Sequence, residues 1–250
     1  TSANHTPIKP FIVLSSIEST NNYAMAKLHA GMVDHGACLL ALEQYGGKGQ
    51  RGKRWLSAPG ENITMSVIIS PSKLGQARLS TFPFILSATI ALGCYDFIKD
   101  FNIPDVSIKW PNDIYIGDRK AAGILIENSY KGASWEGSIA GIGININQTT
   151  FSPDAARPVS LKMVTTITHD VVECGRKLHG RLLQRLIAIA NENAIMGEFN
   201  TLLYRRGKRT RMRRDNISFE AVIDHVSMSG ELVTSDPFEQ RFKVGEIEFV

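Results

Sequence analysis

Lys109, Trp110, Pro111, Asn112 and Asp113 are consecutive, and Lys120 follows seven residues after the Asp. Two cations, an amide and a carboxylate in so short a stretch suit a phosphate and its Mg²⁺. Aspartate is a hard oxygen ligand, and lysine is a point charge for phosphate. Pro111 has no backbone N–H and fixes its own φ, so it punctuates a strand rather than extending one. Before it, Val106-Ser107-Ile108 alternates like a strand. After it, Ile114-Tyr115-Ile116 is apolar and β-prone, and Gly117-Asp118 makes a turn. The spacing therefore gathers the four polar side chains around one strand–turn–strand unit. The plainer reading is a surface hairpin with scattered charges. What counts against it is a second phosphate-like segment upstream.

That segment is QYGGKGQRGKRW, residues 44–55, with four glycines, four cations and no acid. Glycines let a backbone come close to a ligand, and consecutive N–H groups in such a loop form an anion-binding concavity. It is not the phosphate loop GxxxxGK[ST], because Arg54 stands where Ser or Thr is required. It is not GxGxxG opening a helix either, because β-like residues 63–69 follow. A solvated basic loop that orders over an anionic ligand accounts for the composition.

Taken in order, QYGGKGQRGKRW, KWPNDIYIGDRKAAGILIE and GIGININ resemble the catalytic domain of the biotin protein ligase family over residues 12–250. The resemblance implies an α+β fold: a mixed sheet with flanking helices, class II synthetase-like, plus a small SH3-like C-terminal β-barrel. It implies that biotin and MgATP give biotinoyl-5′-AMP, from which a lysine of a biotin carboxyl carrier protein domain takes the biotinoyl group. Carried over residue by residue, Ser19, Thr20, Asn21, Gln44, Gly47, Gly49, Trp55 and Gly123 fall at the biotin site. Lys120, Arg51 and Lys53 fall at the reacting carboxylate and α-phosphate. Arg54, Lys109, Trp110, Asn112, Asn145 and Lys208 fall with the nucleotide, and Asp113 with Mg²⁺. Two positions depart from the family pattern, which often has Arg where Lys48 and Gln50 stand. Lys48 keeps the charge without the bidentate fork, and Gln50 keeps neither.

Other enzymes on the same fold, a lipoate–protein ligase or an acyl transferase, are the nearest alternatives. KWPND with this glycine loop disfavours them. A nucleic-acid-binding β module rests on residues 204–214 alone, which carry seven cations and no acid. Removing those seven from the 28 cations of the chain leaves 21 against 24 acids, so the rest is mildly acidic. Such a cluster also suits ATP phosphates, an acidic partner domain or edge protection. Nothing in it supplies a recognition helix, so no specific DNA partner is expected.

The elements that must position these residues follow from periodicity. Strands are expected over 11–14, 37–43, 63–69, 121–127 and 134–145, with helices over 21–30 and 79–101 and a loop over 163–168. One long helical region is expected over 171–203. Short strands at 217–223, 231–235, 241–244 and 246–250 form the second module, so the division falls at 1–203 and 204–250. Residues 1–10 read as a loose tail. If the chain begins at its natural start, it has no room for a helix-turn-helix of about sixty residues and resembles the ligase-only class. There is no run of eighteen apolar residues and no signal-peptide pattern, so no membrane partner is expected. Cys38, Cys94 and Cys174 are sparse and odd in number, which fits reduced core thiols in the cytoplasm. The six histidines show no metal spacing and read as structural. A monomer or weak homodimer is expected.

Overall fold

A computed structural model of the protein describes residues 9–74, 83–155, 157–236 and 238–250. The tail up to residue 8, His5 with it, and the expected helix start at 79–82 lie outside the described residues. Seven strands form one sheet: β1 (Phe11–Ile17), β2 (Cys38–Gln44), β3 (Asn62–Ile69), β4 (Val106–Lys109), β5 (Asp113–Ile116), β6 (Arg119–Lys131) and β7 (Ser134–Asn145). Their order is β1-β2-β3-β7-β6-β5-β4. β1 and β2 run parallel across the connecting helix α1 (Thr20–His29), because parallel strands need a crossover. The remaining neighbours are antiparallel.

Alternation along the strands gives the sheet two different faces. Leu40, Met65, Val67, Ala140, Ile142 and Ile124 point to one face and join a large core with α2 (Phe84–Lys99). That core also takes in α3 (Leu161–Thr165), α4 (Val171–Ile187) and α5 (Glu192–Thr201). Leu39, Ile68 and Ile139 point the other way and meet Ala24 of α1. Between them on that second face lie polar or small residues, Thr64, Ser66, Gly141 and Gly143, and this is where the site forms. α2 and α4 approach closely at Gly93, where a Cβ would come within 2.8 Å of Leu182 Cδ2.

Two expectations need correction. Residues 171–203 are not one helix. α4 ends at Ile187, with Ala188 as its C-cap, and α5 restarts with its own cap, Asn191 Oδ1 accepting from Ala194 N. Arg185 holds the corner, its guanidinium 2.6 Å from both Asp96 and Glu198. Residues 163–168 are not all loop. The single-turn helix α3 is capped by Ser160 and stopped by Thr166 in the left-handed region at φ 62°. It is too short to show a helical period.

The C-terminal strands are β8 (Arg209–Arg214), β9 (Ile217–Val226), β10 (Leu232–Thr234), β11 (Gln240–Phe242) and β12 (Glu248–Phe249). They form an antiparallel sheet in the order β11-β10-β9-β8-β12. This sheet stands where the small SH3-like β-barrel was expected, and among the described residues its outer strands β11 and β12 are not paired with each other. Met212, Ala221, Ile223 and Phe242 belong to the same core as α2 and α4. Trp110 Nε1 donates to Gly230 O at 2.9 Å, and Asn200 bonds both the N–H and the C=O of Val226. The second sheet is thereby fixed against the KWPND turn.

Candidate active site

Five strands each give one residue to a single register row. Lys109, Asp113, Gly123, Gly143 and Thr64 are successive partners across β4, β5, β6, β7 and β3. The adjacent row is Leu125, Gly141 and Ser66. These rows underlie a cleft of about 810 Å³ on the α1 side of the sheet. Gly123 and Gly143 leave a bay in it, and the Trp55 indole fills that bay. A Cβ on Gly143 would stand 2.2 Å from Trp55 Cε2, and one on Gly123 would stand 3.1 Å from Cζ3. Trp55 Nε1 is buried there with no hydrogen-bond partner, a donor left for a ligand acceptor.

The glycine loop delivers that indole. It is a hairpin in which Gly49 N donates to Lys53 O at 2.7 Å and Trp55 N to Gly47 O at 3.0 Å. Its tip is left-handed at Arg51 (φ 57°) and Gly52 (φ 75°). Gly47 is required by packing, since a Cβ would lie 2.4 Å from Trp55 O. The loop's backbone pairs with itself and its side chains tie it down. Lys48 Nζ donates to Asn22 Oδ1 at 2.7 Å, and Arg54 Nη2 donates to Tyr45 O at 3.0 Å. Arg51 lies over Gly245 of the C-terminal sheet, where a Cβ would meet its Cζ at 3.2 Å.

Charge is concentrated at one end. Lys120 Nζ is 2.7 Å from the Asp113 carboxylate, and both side chains are partly open to the cleft. Lys109 Nζ lies 3.0 Å from Tyr115 Oη, between the rings of Tyr115 and Phe249, at 4.7 and 4.8 Å from their centroids. Burial pushes the Lys109 ammonium below the usual lysine range. Asp113 opposes that shift, and Lys120, Arg205 and Lys53 add to it. Lys48, Arg51, Lys53, Arg54, Lys109 and Lys120 line the cleft against Asp113, Asp154 and Glu248. That excess of cations suits a polyanion. Among the described residues no group of three or more His, Cys, Asp or Glu could hold a metal. Asp113 alone fits a Mg²⁺ that takes its other ligands from phosphate and water, the usual arrangement for that ion.

The opposite end is uncharged and hydrogen-bonded. Ser19 caps α1, accepting from Asn22 N at 3.4 Å. Thr20 N donates to Gln44 Oε1 at 2.8 Å, and Thr20 Oγ1 is 2.8 Å from Ser66 Oγ.

KWPND, the glycine loop and the Ser-Thr-Asn helix start all fall within residues 13–145. A model of the biotin/lipoate A/B protein ligase family matches residues 13–145. The chain belongs to that family. The bifunctional ligase/repressor BirA of Escherichia coli is 33% identical over 134 residues, 54% of this chain and 40% of that protein. A biotin–[acetyl-CoA-carboxylase] ligase of Paracoccus denitrificans is 33% identical over 156 residues, 60% of this chain and 62% of that one. The chain thus spans less than two thirds of these relatives. A biotin protein ligase of Aquifex aeolicus in complex with biotin and ATP superposes with a TM-score of 0.79 at 23% identity, covering 97% of this chain and 99% of that one. At that identity the likeness is one of fold, and the fold is that of the biotin protein ligase structures.

Within this ligase-family cleft most residues read from the sequence do converge, but several have structural work. Trp110 spends its N–H on Gly230. Asn112 Nδ2 donates to Ile124 O, and Asn145 Nδ2 donates to Val159 O at 3.1 Å. Gly47 supports the hairpin behind the lining. Lys208 does not reach the cleft. It stands exposed on the turn at Gly207 that leads into β8. Among its basic neighbours, Arg205 pairs with Asp118, Arg209 with Asp236 and Arg213 with Glu248, while Arg206 donates to Asp224 O. Sequence reasoning missed two contributors to the wall, the stretch that gives Phe151, Ser152, Asp154, Ala155 and Pro158, and the C-terminal Val244, Gly245, Ile247, Glu248 and Phe249.

Proposed function

We propose that the chain is a biotin–protein ligase. A biotin carboxylate oxygen attacks the α-phosphorus of ATP, the bond to the β-phosphate breaks, and pyrophosphate leaves. A carrier lysine amine, having lost a proton, then attacks the acyl carbon, the bond to the phosphate oxygen breaks, and AMP leaves. No protein nucleophile is needed. The reaction needs charge neutralisation, alignment and exclusion of water. The observation that carries this reading is the shared register row, which sets Lys109 and Asp113, with Lys120 Nζ 2.7 Å from Asp113, at one end of a glycine floor under Trp55. Lys120 is placed for the carboxylate and α-phosphate. Lys109, Arg51 and Lys53 supply further positive charge. Asp113 is the residue that would hold Mg²⁺, which when bound screens phosphate charge.

The hydrogen-bonding inner end favours biotin over lipoate, because a urea ring offers N–H and C=O groups and a dithiolane offers neither. The carrier domain, a monomeric or weakly dimeric state and a reducing cytoplasm, consistent with three buried free thiols, complete the reading. Incubation with MgATP and either biotin or lipoate, followed by mass detection of the acyl-adenylate, tests it. A biotinoyl-adenylate is expected. A lipoyl-adenylate alone would transfer the protein to the other branch of the family.

A further inference from the structure

A chain of hydrogen bonds runs from the half-buried Glu127 of β6 to the buried inner end of the cleft. Glu127 Oε2 accepts from Asn21 Nδ2 at 2.7 Å, and Leu125 O accepts from the same nitrogen at 3.4 Å. Asn21 Oδ1 is 2.6 Å from Ser66 Oγ, which is 2.8 Å from Thr20 Oγ1. Ser66 is wholly buried, and Thr20 and Asn21 are buried too. Gly141 makes the room, since a Cβ there would stand 2.3 Å from Asn21 Oδ1. Glu127 and Ser66 themselves do not line the cleft, whereas Thr20 and Asn21 do.

The protons can be arranged in one direction only. A carboxylate and a carbonyl accept and cannot donate, so they take the two amide hydrogens of Asn21. Asn21 Oδ1 therefore faces Ser66 as an acceptor, and the single Ser66 proton goes to it. The Thr20 proton is then spent inside the fold, on Ser66 Oγ or on Gln44 Oε1 at 3.0 Å. Its oxygen lone pairs remain for the cleft. We propose that Glu127 and Ser66 are positioning residues that hold Thr20 as a hydrogen-bond acceptor, so that Glu127 sets which ligand groups the inner end accepts from behind the site. This rests on the biotin reading, in which the matching ligand group is a ring N–H.

The test compares KM for biotin and KM for ATP, by pyrophosphate release, in the parent and four variants. Glu127→Ala frees the Asn21 amide to turn over. It is expected to raise KM for biotin roughly tenfold, the loss typical of a mispaired buried polar group, and to leave KM for ATP unchanged. Glu127→Gln keeps an acceptor oxygen and should stay near the parent. Asn21→Asp sets two carboxylates at hydrogen-bond distance and should raise KM for biotin. Adding Glu127→Gln to Asn21→Asp should restore it, because the new amide donates to the new carboxylate, which still accepts from Ser66. Should Glu127→Ala fail to fold, the nearly isosteric Asn21→Asp and its double variant decide. A parent-like biotin KM in Glu127→Ala, an equal rise for both substrates, or no repair in the double variant would overturn the proposal. A parent that makes no biotinoyl-adenylate would overturn the ligase reading instead.

Discussion

The Trp55 indole rests on the backbone of Gly143, so close that a Cβ at 143 would lie 2.2 Å from the ring. No side chain fits between them. Gly143→Ala should therefore lift the indole or bend β7, with a loss of about 1–3 kcal/mol typical of overpacking. Adenylate formation should weaken with it. Denaturant unfolding of Gly143→Ala, alone and with Trp55→Ala, measures the coupling. With the indole removed, the added methyl should lose most of its cost. Equal destabilisation in both backgrounds would show that the contact is not what excludes a Cβ.

Lys120→Gln should abolish most adenylate formation and leave the fold intact. The pair with Asp113 is partly solvent-exposed, and such pairs contribute little stability. Loss of a cation aimed at developing phosphate charge costs on the order of 10²–10³ in rate. Pyrophosphate release and thermal melting are the two readouts. A near-parent rate would leave Lys120 as a partner for Asp113 and nothing more.

KWPND, its spaced Lys and the glycine loop were legible because each is local, with a spacing that the β5–β6 hairpin and the loop hairpin preserve. The sheet was legible because residues 63–69 and 134–145 carry strong β patterns. The register row was not legible, because β3 and β7 meet through pairings of residues up to 83 apart in the chain. For the same reason, nothing in the closing sequence GEIEFV showed that Phe249 would cover Lys109. The bond from Trp110 to Gly230 was not legible, because the two residues are 120 positions apart. Lys208 was set with the nucleotide by resemblance and by the turn at Gly207, and the sequence does not say which way that turn faces.

Acid should destabilise the protein through the buried His179 and the partly buried His35 and His169. His179 Nε2 donates to Gly36 O at 2.7 Å, and burial holds its pKa below the ordinary 6.5, with the Gly36 bond opposing and Arg176 adding. Burial lowers His35 and His169 as well. As pH falls below 6.5 the unfolded chain takes up protons first. Stability is therefore fully present above 6.5 and is lost as pH falls from there through the folded-state values. Melting temperatures of the parent and His179→Gln between pH 7.5 and 5 should converge as pH falls. Parallel curves would show that His179 titrates alike in both states.

Phe249 should tune nucleotide binding from the C-terminal sheet. Its ring and that of Tyr115 flank the Lys109 ammonium at 4.8 and 4.7 Å, and the Tyr204 ring lies tilted against both, 5.1 Å from Tyr115 and 6.4 Å from Phe249. Phe249→Leu keeps the apolar bulk and removes the π face. An exposed to partly buried cation–π contact contributes about 0.5–2 kcal/mol, so the side chain should lose order and KM for ATP should rise roughly two- to thirtyfold. KM for biotin should hold, because the hydrogen-bonded inner end lies along the floor beyond Gly123 and Gly143. Phe249→Tyr should keep the parent value, since it restores the ring. An unchanged KM for ATP in Phe249→Leu would reduce Phe249 to a packing residue of β12, and an equal rise for biotin would mean that the C-terminal sheet shapes the whole cleft.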